Sequence, residues 1–251
     1  MVHPIMRESH EVGSTHTPAS TIAEPINSLL SNLHSLIIGP GLGRDPLMQD
    51  TVAEVITKGK AVNLPMVLDA DALWLVQNRP ELVKGYKECV LTPNVVEFGR
   101  LAKAAGIDTG GDTGRSGCEA LADALGGVLI VRKGAEDWIS HGPGRSVVCD
   151  LTGGRKRSGG QGDTLTGSIG TFLAWRGMYL DGNWDTQGGM SREETLMLAA
   201  WGGASITREC SRKAFEKRGR SLQASDLTDE VEGAFQRLVG EPDAGDEGAK
   251  L

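Results

Sequence analysis

No disulfide framework or metal knuckle is written into this chain: its four cysteines, Cys89, Cys118, Cys149 and Cys210, stand far apart with no C-x-x-C pair. That excludes a redox dithiol and fits free thiols in a reducing compartment. The five histidines, His3, His10, His16, His34 and His141, show no ligand spacing, so no metal site and no catalytic role is assigned to them. No apolar run approaches the ~18 residues of a membrane span, and residues 1–23 hold no apolar stretch of the kind a secretory signal needs. The cytosol is the expected compartment, with mitochondrial targeting left open. Long basic runs are absent too, and 26 Lys and Arg stand against 33 Asp and Glu. Such an acidic balance excludes a nucleic-acid or anionic-membrane footprint, so the expected partner is a small molecule. No internal repeat is present.

What is there suits one large α/β domain. With 39% apolar residues in 251, the chain can bury a sizeable core. The domain is placed at 33–240, preceded by an irregular stretch over 1–32 and followed by an acidic tail at 241–251. Short apolar runs predict strands at Leu36-Ile37-Ile38, Met66-Val67-Leu68, Cys89-Val90-Leu91 and Val128-Leu129-Ile130-Val131. A hairpin is expected where Trp138-Ile139 and Val147-Val148 flank Gly142-Pro143-Gly144. Helices are predicted from Pro46 to about Lys58, from Asn94 through Leu101, and over 163–175, 196–208 and 226–238, with a polar loop at 182–190. Gly167, Ser168 and Gly170 would let another backbone approach the first of the late helices. Strands alternating with helices imply a mainly parallel sheet covered on both faces, with ligands beyond the carboxyl ends of its strands.

The strongest chemical signal is the run Ser158-Gly159-Gly160-Gln161-Gly162-Asp163. Glycines before a helix leave backbone amides free, and the helix terminus adds about half a positive charge. Together they make an anion hole, the arrangement a phosphoryl group in transfer requires. Asp163 on the first turn could take a proton from an attacking hydroxyl. An Asp there could also simply cap the helix, but three glycines in four positions exceed what a turn needs. Asn94 and Glu97 are spaced to cap a helix reciprocally; alternatively they organise substrate or hydrated Mg²⁺. Lys133, leaving a buried strand, could pair with a phosphate or sit on an edge. Asp69 and Asp71 face the same cleft, or Asp69 only caps the segment after it. Arg155, Lys156 and Arg157 would either neutralise nucleotide phosphates or form a solvated loop.

Gly39-Pro40-Gly41-Leu42-Gly43-Arg44-Asp45, Leu68-Asp69-Ala70-Asp71-Ala72-Leu73-Trp74, Leu91-Thr92-Pro93-Asn94 with Glu97-Phe98, Lys133-Gly134 with Asp137, the Gly159-to-Asp163 run and Gly219-Arg220-Ser221 occur in one order. In that order they resemble eukaryotic-type NAD(P)H-hydrate dehydratases over roughly residues 33–238. The resemblance implies a ribokinase-like three-layer α/β/α fold. It also implies a repair reaction in which ATP phosphorylates the 6-hydroxyl of the S epimer of hydrated NADH or NADPH. Loss of phosphate then restores the dinucleotide. Bacterial relatives use ADP; the pattern here is closer to the ATP-using branch. Carried over residue by residue, Asp163 is the base. Gly41, Gly43, Asn94, Val95, Val96, Glu97, Phe98, Gly99 and Arg100 contact the hydrate. Lys133, Gly134, Ala135, Glu136 and Asp137, with Gly153, Gly154, Arg155, Lys156, Arg157, Ser158, Gly159, Gly160, Gln161 and Gly162, hold ATP. Mg²⁺ is implied as the ion carried by ATP, held more by phosphates than by protein. A functional pairing with an NAD(P)H-hydrate epimerase is implied as well, and a homo-oligomer is left open. In one respect the chain departs from the family, whose members carry another α/β section before the Gly-Pro-Gly-Leu-Gly loop. An exposed sheet edge and some exposed apolar surface are the expected consequence.

Overall fold

The computed structural model describes residues 2–12, 17–183 and 189–240. Six strands form one sheet in sequence order: β1 (Leu36–Ile38), β2 (Met66–Leu68), β3 (Cys89–Leu91), β4 (Leu129–Arg132), β5 (Asp137–Ser140) and β6 (Ser146–Cys149). The first four run parallel, and β5 and β6 turn back antiparallel as the expected hairpin. On β1, one of the two outer strands, Ile37 remains 39% exposed.

Alternation of side chains along the strands divides the core into two layers. Ile38, Met66, Leu68, Cys89, Leu91 and Ile130 face one side. There they pack on α2 (Pro46–Ala61), α3 (Asp71–Asn78), α4 (Val95–Ala104) and α5 (Arg115–Ala124). Val67, Val90, Leu129 and Val131 face the other side, where α6 (Gln161–Leu180) and α7 (Arg192–Arg218) supply Leu165, Ile169, Leu173, Leu196 and Ala200. Cβ atoms of strand neighbours point to opposite faces, so a three-residue strand such as Met66–Leu68 is buried throughout and reads as a continuous apolar run.

Several elements differ from the sequence reading. Residues expected to be irregular include α1 (Ala19–Asn27), whose Ile22 and Ala23 are buried beside α2 together with Leu30. Pro25 lies inside that helix, where it removes an i→i−4 hydrogen bond and works against helix formation. Both α3 and α5 were missed because each is short and opens on charge rather than on an apolar stripe. The helix expected over 226–238 is two pieces, α8 (Ser225–Thr228) and α9 (Val231–Leu238), with a turn at Asp229 and Glu230. The acidic tail at 241–251 and most of the loop at 182–190 lie outside the described residues. All four cysteines are free and buried.

Of the small residues expected to admit a neighbouring backbone, Gly170 instead admits side chains: a Cβ there would lie 2.8 Å from Ile37 Cδ1 of β1. Gly167 and Ser168 line a groove. A neighbouring backbone is admitted from the other helix, where a Cβ on Gly203 of α7 would lie 2.9 Å from the Ile169 amide nitrogen of α6.

Candidate active site

The parallel strands converge at their carboxyl ends. β1 stops at Gly39, whose φ of +130° and position against β2 exclude a side chain: a Cβ would fall 1.7 Å from the Asp69 carbonyl oxygen. β2 delivers Asp69, only 4% exposed, and β4 delivers Lys133, whose Nζ donates to Asp69 Oδ1 at 2.6 Å. Asp69 does not cap α3, whose cap position is Ala70, and it borders this site, whereas Asp71 borders a separate pocket, so the two carboxylates do not share one cleft. Ala70 holds a φ of 48° and a ψ of −117°, a strained backbone for a residue with a Cβ, and strain of this kind concentrates at functional sites. Lys133 is not on an edge either. β4 lies between β3 and β5, and the Lys133 amide bonds the Pro93 carbonyl at 2.8 Å.

Against this pair stands the start of α6. Gly160 occupies the cap position in the left-handed region, φ +90°, and no side chain caps the helix. Asp163 therefore does not cap: it lies exposed on the first turn, on a hollow of about 470 Å³ shared with Gly41, Asp69, Glu97, Lys133 and Gly162. The 20-residue helix behind it brings its positive end to the same space, with Gly160, Gly162 and Asp163 on its border. Gly162 is the hinge of the geometry, since a Cβ there would sit 2.9 Å from Asp69 Oδ2 and 3.7 Å from Lys133 Nζ. Gly162→Ala is accordingly expected to displace the turn from the Lys133–Asp69 pair and to cut kcat/KM by up to about 100-fold. Thermal unfolding should change little, because Ala gains about 0.5–1 kcal/mol of helix propensity over Gly. Steady-state rates alongside a melting curve check both halves.

Behind Gly162 and Lys133 opens a larger cavity of about 670 Å³, within the range of small-molecule sites. Gly134, Ala135 and Asp137 line one wall, and Gly153, Gly154, Arg157, Ser158 and Gln161 another. The Ser158 hydroxyl is buried there without a protein partner. Asn94, Val95 and Val96, expected on the hydrate, line this same cavity. Asn94 and Glu97 do form the reciprocal cap, Asn94 Oδ1 accepting from the Val96 and Glu97 amides and Glu97 Oε2 from the Asn94 amide at 2.8 Å. Glu97 also borders the hollow, a position that its capping bond does not prevent.

Other assignments need correction. The Phe98 side chain is fully buried in the core. Gly99 opens onto a different surface, beside Lys103 and Gly106. The Gly43 amide is engaged by Asp71 Oδ2 at 3.0 Å. Lys156 donates to the Leu222 carbonyl at 2.8 Å rather than into the cavity, and Glu136, Arg155 and Gly159 do not line it. Four residues missed in the sequence complete the cavity: Leu165 of α6 and Thr207, Arg208 and Ser211 of α7. Arg208 Nε bonds Asp137 Oδ2 at 2.8 Å, and its other nitrogens bond the carbonyls of Gly134, Ala135 and Leu151. Asp137 Oδ1 accepts from the Gly134 amide, so this carboxylate shapes the loop. Nothing local marks Arg208, which is one arginine among several on a long helix.

A parallel sheet between helical layers, with an anion hole at a helix start facing a buried lysine and a nucleotide-sized cavity, defines a ribokinase-like protein. The fold agrees: the ADP/ATP-dependent NAD(P)H-hydrate dehydratase of Bacillus subtilis, co-crystallised with ATP and Mg²⁺, superposes with a TM-score of 0.58 at 23% identity, covering 81% of this chain and 64% of that one. The sequence profile described as NAD(P)H-hydrate dehydratase matches residues 1–232, and the chain belongs to that family. Among its relatives, the ATP-dependent (S)-NAD(P)H-hydrate dehydratase of Neurospora crassa is 56% identical over 266 residues, covering 97% of this chain and 74% of the relative. The protein of the same name from Ajellomyces capsulatus is 50% identical over 300 residues, covering all of this chain and 80% of the relative.

Proposed function

We propose that this chain uses ATP to return the S epimer of hydrated NADH or NADPH to the intact dinucleotide, giving ADP and phosphate. One observation carries the reading: Asp163 is uncapped and exposed at a glycine turn, on a hollow that shares Lys133 and Gly162 with the larger cavity. ATP occupies the larger cavity with its terminal phosphate toward Gly162, and the hydrated ring occupies the hollow. Asp163 accepts the proton of the 6-hydroxyl as its oxygen attacks the phosphorus and ADP leaves. Turn amides, the helix terminus and Lys133 stabilise the charge on the transferred group. Departure of phosphate from that carbon and of a proton from its neighbour restores the ring double bond, so the net change is dehydration.

Among the described residues no cluster of three or more His, Cys, Asp or Glu side chains is placed to hold a metal. Mg²⁺ prefers phosphate oxygens, water and one or two carboxylates to an all-protein cage. Glu97, bordering the hollow, would hold its water shell. The ion would supply neutralisation of the ATP phosphates. Because the enzyme acts on one epimer, an epimerase that interconverts the two hydrates is its expected functional partner. No helix of the described residues is long and apolar enough to cross a membrane.

The test supplies purified chain with ATP, Mg²⁺ and S hydrate and follows NADH absorbance. NADH formation with one phosphate released per turnover supports the reading. A stable phosphorylated product without NADH would overturn it in favour of an ordinary kinase.

A further inference from the structure

Beside the reaction hollow lies a smaller pocket of about 110 Å³, lined by Arg44, Trp74, Gln77 and Arg100 and walled from the hollow by Ala70 and Glu97, which border both. Arg44 is held there in an unusual way. Its Nε donates to Asp71 Oδ1 at 3.4 Å, and its guanidinium lies over the Trp74 ring, 5.6 Å from the centroid. Asp71 is itself fixed, because its other oxygen takes the Gly43 amide. Carboxylate and indole therefore set the plane of the guanidinium while its two terminal nitrogens bond nothing among the described residues and stay exposed. A planar fork held at its base, with its tip free, is preorganised for a bidentate oxyanion. Arg100 adds a second cation on the same pocket.

Resting on the function proposed above, we infer that Arg44 binds a phosphate of the hydrated dinucleotide and so sets the direction in which the substrate leaves the hollow. The ring near Asp163 is tethered to a pyrophosphate and, in the NADPH form, to a further phosphate. Two routes lead away from Asp163. One is the groove on α6 and α8, lined by Thr164, Ser168, Thr171, Ser225 and Thr228, which offers hydroxyls and no cation. The other passes over Ala70 to Arg44 and Arg100. Both routes start at the Asp163 carboxylate, and the second also carries Asp71 and Glu97, whose oxygens are engaged by Arg44 with the Gly43 amide and by the Asn94 amide. Of the two, only the second offers a phosphate a positive group.

Arg44→Gln in the full chain, assayed with both hydrates, tests this. The expected result is a KM for hydrate raised about tenfold or more, the size of a lost charge-assisted contact. Turnover and the KM for ATP should stay within about twofold. A rise for both hydrates places the pyrophosphate on Arg44, and a rise for the NADPH form alone places the additional phosphate there. Arg44→Lys, which keeps the charge and loses the fork, should fall between. Unchanged KM for both hydrates, or a rise confined to ATP, overturns the inference. Binding of the product NADPH, read from its own fluorescence, gives a measurement that does not need turnover. Weaker binding in Arg44→Gln would uphold the subsite even if the wild type failed to dehydrate anything, and unchanged binding would sink it.

Discussion

Asp163→Asn should lower turnover by about 10²-fold or more while leaving ATP binding close to that of the wild type, the loss expected of a missing general base. Asn is the same shape and cannot take the proton. The usual objection to such a variant, that it removes a helix cap, does not apply: the cap position is Gly160, and no side chain closes the start of α6. What stability the carboxylate contributes comes from its place at the positive end of the helix, about 0.3–1 kcal/mol. A large fall in rate with a small fall in melting temperature is therefore the signature of the proton acceptor. NADH formation gives the rate and calorimetric titration with ATP gives the binding. Wild-type turnover would move the role to another group on the hollow, with Glu97 the first to examine. Lost ATP binding would show instead that the substitution had disturbed the turn.

Legibility followed the range of the physics. The four parallel strands and the hairpin could be read directly, because a buried strand in a covered sheet must be apolar on both faces. The anion hole was legible for a similar reason, as glycine is required where Gly160 takes a left-handed backbone and where Gly162 abuts a carboxylate. Groups assembled across the fold were not. The partner of Asp69 lies 64 positions away and that of Asp137 lies 71 away, and neither separation leaves a trace in a linear pattern. Phe98 shows the opposite error. It stands in the middle of a stretch whose neighbours border the site, but helical periodicity turns its side chain inward to the core while Glu97 turns outward. Sequence adjacency to a functional residue says little on a helix.

The other large effect is expected far from the chemistry, at Glu88. This carboxylate is 7% exposed and receives Arg176 in a bidentate pair at 2.6 and 3.1 Å, with Arg192 on the same oxygen at 3.1 Å. Arg176, 5% exposed, also reaches Thr195 Oγ1 and the Arg192 carbonyl. Glu88→Ala leaves that guanidinium buried and uncompensated, which costs about 3–5 kcal/mol, readable as a lower urea midpoint. Replacing both partners by Leu and Met should recover much of the loss, since the penalty comes from one charge left alone. Burial raises the Glu88 pKa and the two arginines more than offset it, holding it below the ordinary value. A depressed folded-state pKa means that the pair's contribution is complete above the unfolded Glu value and fades as pH falls through the folded one. The wild type should accordingly lose stability on acidification in this range, and Glu88→Ala should lose less. The consequence for function runs along α6, which carries the glycine turn at one end and Arg176 near the other. With the anchor gone, α6 keeps Leu165, Ile169 and Leu173 against the sheet, its packing on α7 and the Ser35 hydroxyl bond to the Gly170 carbonyl. If Glu88→Ala, kept well below its unfolding midpoint, still turns over at the wild-type rate, the remaining packing of α6 suffices to fix the anion hole and the anchor serves stability alone.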